Sequence, residues 1–181
     1  MADFARVLAD VIGDGAFSRE LGRFAGTFAE YRDRLPLVPR TYSRTRLAFD
    51  PEYEIIAMNW APHSVSPIHD HGTSRCWVVV LEGALDVQNY TCDAADVGAG
   101  VVHVRATERL DLRAGDVDHR LAPTELHRVH NPSPTHSAFT LQLYARPLTT
   151  YSVLDARSHA RRLVTAVCDL DLSQAVAGTP Q

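Results

Sequence analysis

The chain has 181 residues, 45% hydrophobic and 22% charged, with a formal net charge of -4. That length suits one domain with a substantial core and is short for two. The mild acidity offers no basic face for nucleic acid or an anionic membrane, and no apolar run approaches the roughly 18–20 residues that span a bilayer.

The opening Met1-Ala2-Asp3-Phe4-Ala5-Arg6 lacks a basic segment followed by a long apolar core, so no secretory leader is expected. Residues 4–34 read as helical. Phe4, Val7, Leu8, Val11 and Ile12 recur at three- and four-residue spacing, as do Phe24, Phe28 and Tyr31. Gly13-Asp14-Gly15 divides this region into two short helices, with Ser18 as N-cap of the second. Pro36 and Pro39 close it. From Thr41 to about Ala145 short runs rich in Val, Ile, Leu and Tyr alternate with Gly, Pro, Asp and Asn. The runs Tyr53–Trp60, Cys76–Leu81, Ala84–Tyr90, Val101–Val104 and Ser137–Tyr144 predict an all-β sandwich or barrel.

Residues 156–166, rich in Ala, Arg and Leu, read as a C-terminal helix, and Ala175–Gln181 as a frayed tail. No repeat or linker divides the chain. The expected plan is a single domain: a helical segment over 1–40, a barrel over 41–150, and a helix with tail over 151–181. Cys76, Cys92 and Cys168 form an odd, sparse set without close pairs. This argues against a disulfide framework and for a reducing, cytoplasmic setting.

The chemistry concentrates in Pro67-Ile68-His69-Asp70-His71-Gly72 and in Leu126-His127-Arg128-Val129-His130-Asn131. Strand side chains alternate, so an H-x-H pair puts two imidazoles on one face. A third histidine from a distant strand completes a three-nitrogen cap on one metal ion. Such a cap leaves coordination positions open, which suits catalysis better than a closed structural site. Three imidazoles alone would also hold zinc, nickel or copper. His130 would face away from His127 on an extended strand, and His63, His103, His119, His136 and His159 fit no ligand spacing. Asp70 points away from the metal, within reach of a ligand histidine from behind. Glu82 lies beside Gly83 at a turn, as a solvated residue.

These two histidine segments resemble the motifs of the cupin superfamily, in most of which a glutamate ligand stands where this chain has Cys76. The His-Asp-His string followed by Cys76, the H-R-V-x-N of residues 127–131, Leu141-x-Leu143-Tyr144, and Tyr42-Ser43-Arg44 together resemble cysteine dioxygenase, over about residues 40–155. The resemblance implies a small cupin-type β-barrel, a jelly-roll, with helices at its ends. It implies Fe(II) held by His69, His71 and His127, and a small thiol oxidised by O2 to a sulfinic acid.

By the same resemblance Arg44 pairs with a substrate carboxylate through its planar fork. Tyr42 shares its side of the strand. Tyr144 is the active-site tyrosine, and Cys76 the cysteine that becomes thioether-linked to it. Two departures stand out. Gln142 occupies the histidine position of the family's Ser-x-His-x-Tyr pattern; it hydrogen-bonds but does not titrate near neutrality. Tyr151 stands where mammalian-type enzymes carry a cysteine. The expected substrate is L-cysteine first and 3-mercaptopropionate second. A non-catalytic metal-binding cupin module and a different metal-dependent cupin enzyme remain as alternatives. The expected partners are a small thiol and O2, with no nucleic acid or membrane, in a monomer or small homo-oligomer.

Overall fold

The computed structural model describes residues 13, 15–92, 102–121 and 125–173. Helix α1 (Gly15–Gly26) leads into a short helix α2 (Phe28–Tyr31) and a 3-10 turn (Arg32–Arg34). The chain then forms strands β1 (Tyr42–Asp50), β2 (Tyr53–Trp60), β3 (Ile68–His69), β4 (Arg75–Glu82), β5 (Ala84–Cys92) and β6 (Val104–Arg113). Strands β7 (Val117–Arg120), β8 (Leu126–His130), β9 (Ala138–Ala145), β10 (Thr150–Leu154), β11 (Arg161–Thr165) and β12 (Leu170–Asp171) complete it. Among the described residues these make two six-stranded sheets, β12-β1-β2-β9-β4-β7 and β11-β10-β3-β8-β5-β6. Their interior faces share one core, the arrangement of a jelly-roll cupin barrel.

Alternation along the first sheet builds two separate cores. Ile56, Met58 and Trp60 of β2 point between the sheets, where they meet Leu85, Val87 and Val129 of the second sheet. Ile55 and Ala57 point the other way, against Leu21, Phe24 and Tyr31 of the helices. Leu141 and Leu143 of β9 share that outer face, leaving Thr140, Gln142 and Tyr144 on the inner one. Strands covered on both sides read as continuous apolar runs, which is why β2 and β9 stand out in the sequence. Leu21 and Phe24, each almost fully buried, contribute about 1.5–3 kcal/mol apiece through the area removed from water. The chain crosses from one sheet to the other at Gly83, whose φ is +83°, and a Cβ there would press on Ala138 at 2.9 Å.

Several expectations are corrected. Residues 156–166 do not form a helix: Arg161–Thr165 is strand β11, paired antiparallel with β10 from Thr150↔Thr165 to Leu154↔Arg161. The turn before it is set by Asp155, which accepts from the Arg157 and Ser158 amides. That Asx turn and the ladder outweigh the helix propensity of Ala, Arg and Leu. Strands therefore continue to Asp171, past the expected boundary at residue 150. Ser18 is no N-cap; it is buried inside α1, which begins at Gly15. Of the run Val101–Val104, Val102 and His103 are not in a strand and β6 begins at Val104. β6 is a mostly exposed edge strand without an apolar run to mark it. Val101, the helix expected over 4–12 and the tail 175–181 lie outside the described residues.

Candidate metal centre

His69 closes the two-residue strand β3, and His71 follows in a turn rather than on the same strand. The turn is stapled by Asp70. Its Oδ1 accepts from the Gly72 amide at 3.0 Å and from the Ser152 amide of β10 at 2.7 Å. Arg161 stands 3.7 Å from its other oxygen. Gly72 has φ +56°, and a Cβ on it would collide with the Thr150 carbonyl. The turn therefore requires glycine, and it aims His71 back toward His69. Asp70 faces away from the histidines, as expected. His127 sits on β8 directly opposite His69 in the β3–β8 ladder.

The three side chains converge. Nε2 of His127 lies 3.2 Å from Nε2 of His69 and 3.2 Å from Nε2 of His71. One nitrogen from each residue falls within 4.8 Å of the others, which defines a candidate metal site among the described residues. An ion about 2.1 Å from each nitrogen, an ordinary metal–imidazole length, fits such separations. Burial holds the imidazoles neutral, the form that donates a lone pair. His69 is pushed down to about 4 by desolvation, with Arg44 and Arg120 adding to the effect against the Pro67 hydrogen bond. His71 and His127 are lowered by desolvation first, then by their neighbouring histidines and Arg120.

The other expected residues surround this cluster. Tyr42, Arg44, Gln142 and Tyr144 line the same chamber as the three histidines, with Trp60 and Tyr151. The Tyr144 ring lies 5.6 Å from that of His71, and the Arg44 guanidinium 5.6 Å over the Tyr144 ring. Arg44 is partly exposed as a residue, but its Nε and Nη2 are sealed from solvent without a close acceptor, and the neighbouring Tyr144 phenol is the polar group that steadies its charge. The Tyr144 hydroxyl donates to Gln142 Oε1. Cys76 faces the same interior, fully buried, and is the cross-strand partner of Tyr144. Desolvation raises the Tyr144 phenol and the Cys76 thiol, so both keep their protons near neutrality.

Sequence reasoning missed the group behind His127. Arg120 of β7 donates Nε–H to His127 Nδ1 at 3.2 Å, and Nη2–H to Asn89 Oδ1 at 2.9 Å and to Asp118 Oδ2 at 2.6 Å. Asp118 and Arg120 are both almost fully buried. Their i, i+2 spacing on a strand was the available signal. The other histidines stay outside the cluster: His130 is turned toward Asp86, 3.6 Å away. Glu82 pairs with Arg32 at 2.8 Å.

Fold and site together define a cupin with a three-histidine candidate metal centre. The solved structure of a conserved protein with a double-stranded β-helix domain from Klebsiella pneumoniae shares this fold, with TM-score 0.50, 13% identity, and coverage of 68% of this chain and 93% of that one. Residues 23–157 match the family model for cysteine dioxygenase type I, and the chain belongs to that family. It is 30% identical to cysteine dioxygenase type 1 of Rattus norvegicus and 31% identical to that of Homo sapiens. Each match covers 114 residues, 63% of this chain and 55% of the relative. The chain thus spans about half the length of the curated relatives it matches.

Proposed function

We propose that the protein is an Fe(II)-dependent thiol dioxygenase acting on a small thiol that carries a carboxylate, L-cysteine first and 3-mercaptopropionate second. The observation that carries this reading is the Arg44 guanidinium, whose sealed Nε and Nη2 donors have no close acceptor beside the histidine cluster and whose neighbour is the Tyr144 phenol rather than a carboxylate. A buried cation without a carboxylate to pair with is costly. A substrate carboxylate would complete it with two parallel hydrogen bonds.

Bound by His69, His71 and His127, Fe(II) would supply the redox chemistry by which a thiol and O2 become a sulfinic acid. Three neutral imidazoles add no negative charge, so the centre stays cationic and favours a thiolate. Arg44 orients the substrate by its carboxylate, and Tyr42, two residues away on β1, presents its hydroxyl to the same side. The aromatic faces of Trp60 and Tyr151 keep bulk water from the reacting sulfur. Gln142 holds the proton of the Tyr144 hydroxyl, which leaves the phenol oxygen lone pairs for the chamber. Cys76 and Cys168, both unbridged thiols, fit a reducing cytoplasm. Among the described residues no helix is long and apolar enough to cross a membrane.

The test is O2 uptake by anaerobically Fe(II)-loaded protein with L-cysteine, 3-mercaptopropionate and cysteamine, each product being weighed by mass spectrometry. A gain of two oxygens on a carboxylate-bearing thiol, with cysteamine poor, is the expected result. Stoichiometric iron without uptake on any of the three would overturn the reading.

A further inference from the structure

The three histidines differ in what stands behind them. Nδ1 of His69 faces the Pro67 carbonyl at 3.0 Å, so it carries the proton and leaves Nε2 a bare lone pair. Nδ1 of His71 is buried without a partner. Nδ1 of His127 meets Arg120, a residue that only donates. A neutral imidazole has one donor and one acceptor nitrogen. The Arg120 contact therefore makes Nδ1 of His127 the acceptor and puts the ring proton on Nε2. There it faces Nε2 of His69 and Nε2 of His71, each 3.2 Å away, and the bare lone pair of His69 is free to receive it. The usual partner behind a metal-binding imidazole is a carboxylate or carbonyl, which enforces the opposite tautomer.

We propose that Arg120 is a positioning residue that fixes metal-free His127 in the Nε2–H tautomer, and so opposes loading of the metal centre. Asp118 and Asn89 serve it. Both accept from Nη2, at 2.6 and 2.9 Å, which directs Nε at the imidazole. A metal ion needs the Nε2 lone pair, so loading sends the ring proton to Nδ1 and ends the Arg120–His127 bond. Arg120 keeps Asn89 and Asp118 through Nη2 and the His119 carbonyl through Nη1. The three nitrogens thus form a cluster closed by one internal hydrogen bond when no metal is present, and metal has to displace it. This inference rests on the histidine cluster being a metal site. It does not depend on which thiol is the substrate.

The test begins on the metal-free protein, with long-range proton–nitrogen NMR of the imidazoles, His127→Gln supplying the assignment. His127 is expected to show an unprotonated Nδ1 and a protonated Nε2, and His69 the reverse. Arg120→Gln, whose amide oxygen accepts an Nδ1 proton, is expected to reverse the His127 tautomer. It should also tighten Co(II) binding about tenfold, the lower end of effects from groups behind metal ligands. If this variant fails to fold because Asp118 is left unpaired, Asp118→Asn/Arg120→Gln carries the same two measurements. A protonated Nδ1 in the wild type, or unchanged tautomer and affinity in the variant, would overturn the proposal. Iron-independent NMR separates that failure from a failure of the thiol reading, which is judged by O2 uptake alone.

Discussion

Cys76 on β4 and Tyr144 on β9 face each other across one rung of the first sheet, both buried on its interior side. Directly opposed residues in an antiparallel pair share a face and lie within side-chain contact. Burial holds thiol and phenol in their protonated forms, so the sulfur does not attack the ring as a thiolate. A bond between them requires removal of two hydrogens by an oxidant. After turnover with Fe(II), thiol and O2, the joined Cys76 and Tyr144 peptides should therefore weigh less than their sum by two hydrogen atoms. Metal-free protein and Cys76→Ser should show no such species. Fully turned-over protein with both peptides unlinked would reduce Cys76 to a packing residue.

Arg44 yields a prediction with opposite signs for binding and stability. Its sealed donors, with the Tyr144 phenol but no carboxylate beside them, are an expense to the metal-free fold. Arg44→Met keeps much of the volume and removes the charge. The variant should unfold at an equal or higher denaturant concentration than the wild type. Its KM for a carboxylate-bearing thiol should rise about 10- to 100-fold, the worth of a charge-assisted hydrogen-bond pair. KM for cysteamine should barely move. A destabilised variant with an unchanged KM would make Arg44 structural.

What the sequence discloses and what it hides have separate physical causes. β2 and β9 were legible because both faces of each are covered, and β4 and β5 because β4 is largely buried and the glycine turn between them is sharp. The triad was legible because His69, His71 and His127 occupy a recognisable pattern. β11 was hidden because its strand form comes from the β10 ladder and the Asp155 turn, while Arg161, Arg162 and Leu163 are good helix formers. Arg120 was hidden because its importance arises from the fold, which brings β7 beside β4 and β8 behind the chamber. In the chain it is one arginine after a histidine, seven residues before His127.

The turn carrying His71 depends on two residues that do not line the chamber, Asp70 and Gly72. Asp70→Ala would leave the Gly72 and Ser152 amides without their acceptor. Each unsatisfied buried donor costs about 1–3 kcal/mol. Metal affinity should fall about tenfold as His71 loses its support. Gly72→Ala should be worse, because the added methyl meets the Thr150 carbonyl and the backbone already sits at φ +56°. Iron stoichiometry and thermal melting of both variants, beside His71→Ala, check the ranking. Wild-type iron content in Gly72→Ala would show that the turn does not position the ligand.

Acid should destabilise the metal-free protein in a defined window. His69 has an ordinary value of 6.5 and is held down to about 4 in the fold. His71 and His127 are lowered by the same burial. The unfolded chain therefore binds protons that the folded chain refuses, and the stability they confer is complete above pH 6.5. It drains away as pH falls toward 4, at up to about 1.4 kcal/mol per pH unit for each proton refused. Asp118, whose burial raises its carboxyl, works in the opposite sense in the acidic part of this window. It is one group against three, so the net slope keeps its sign. Urea midpoints of metal-free protein measured from pH 7.5 to 4.5 should be level at first and then fall. His69→Gln should flatten the fall by about one proton. A midpoint independent of pH across that range would mean that the cluster charges freely in the folded state.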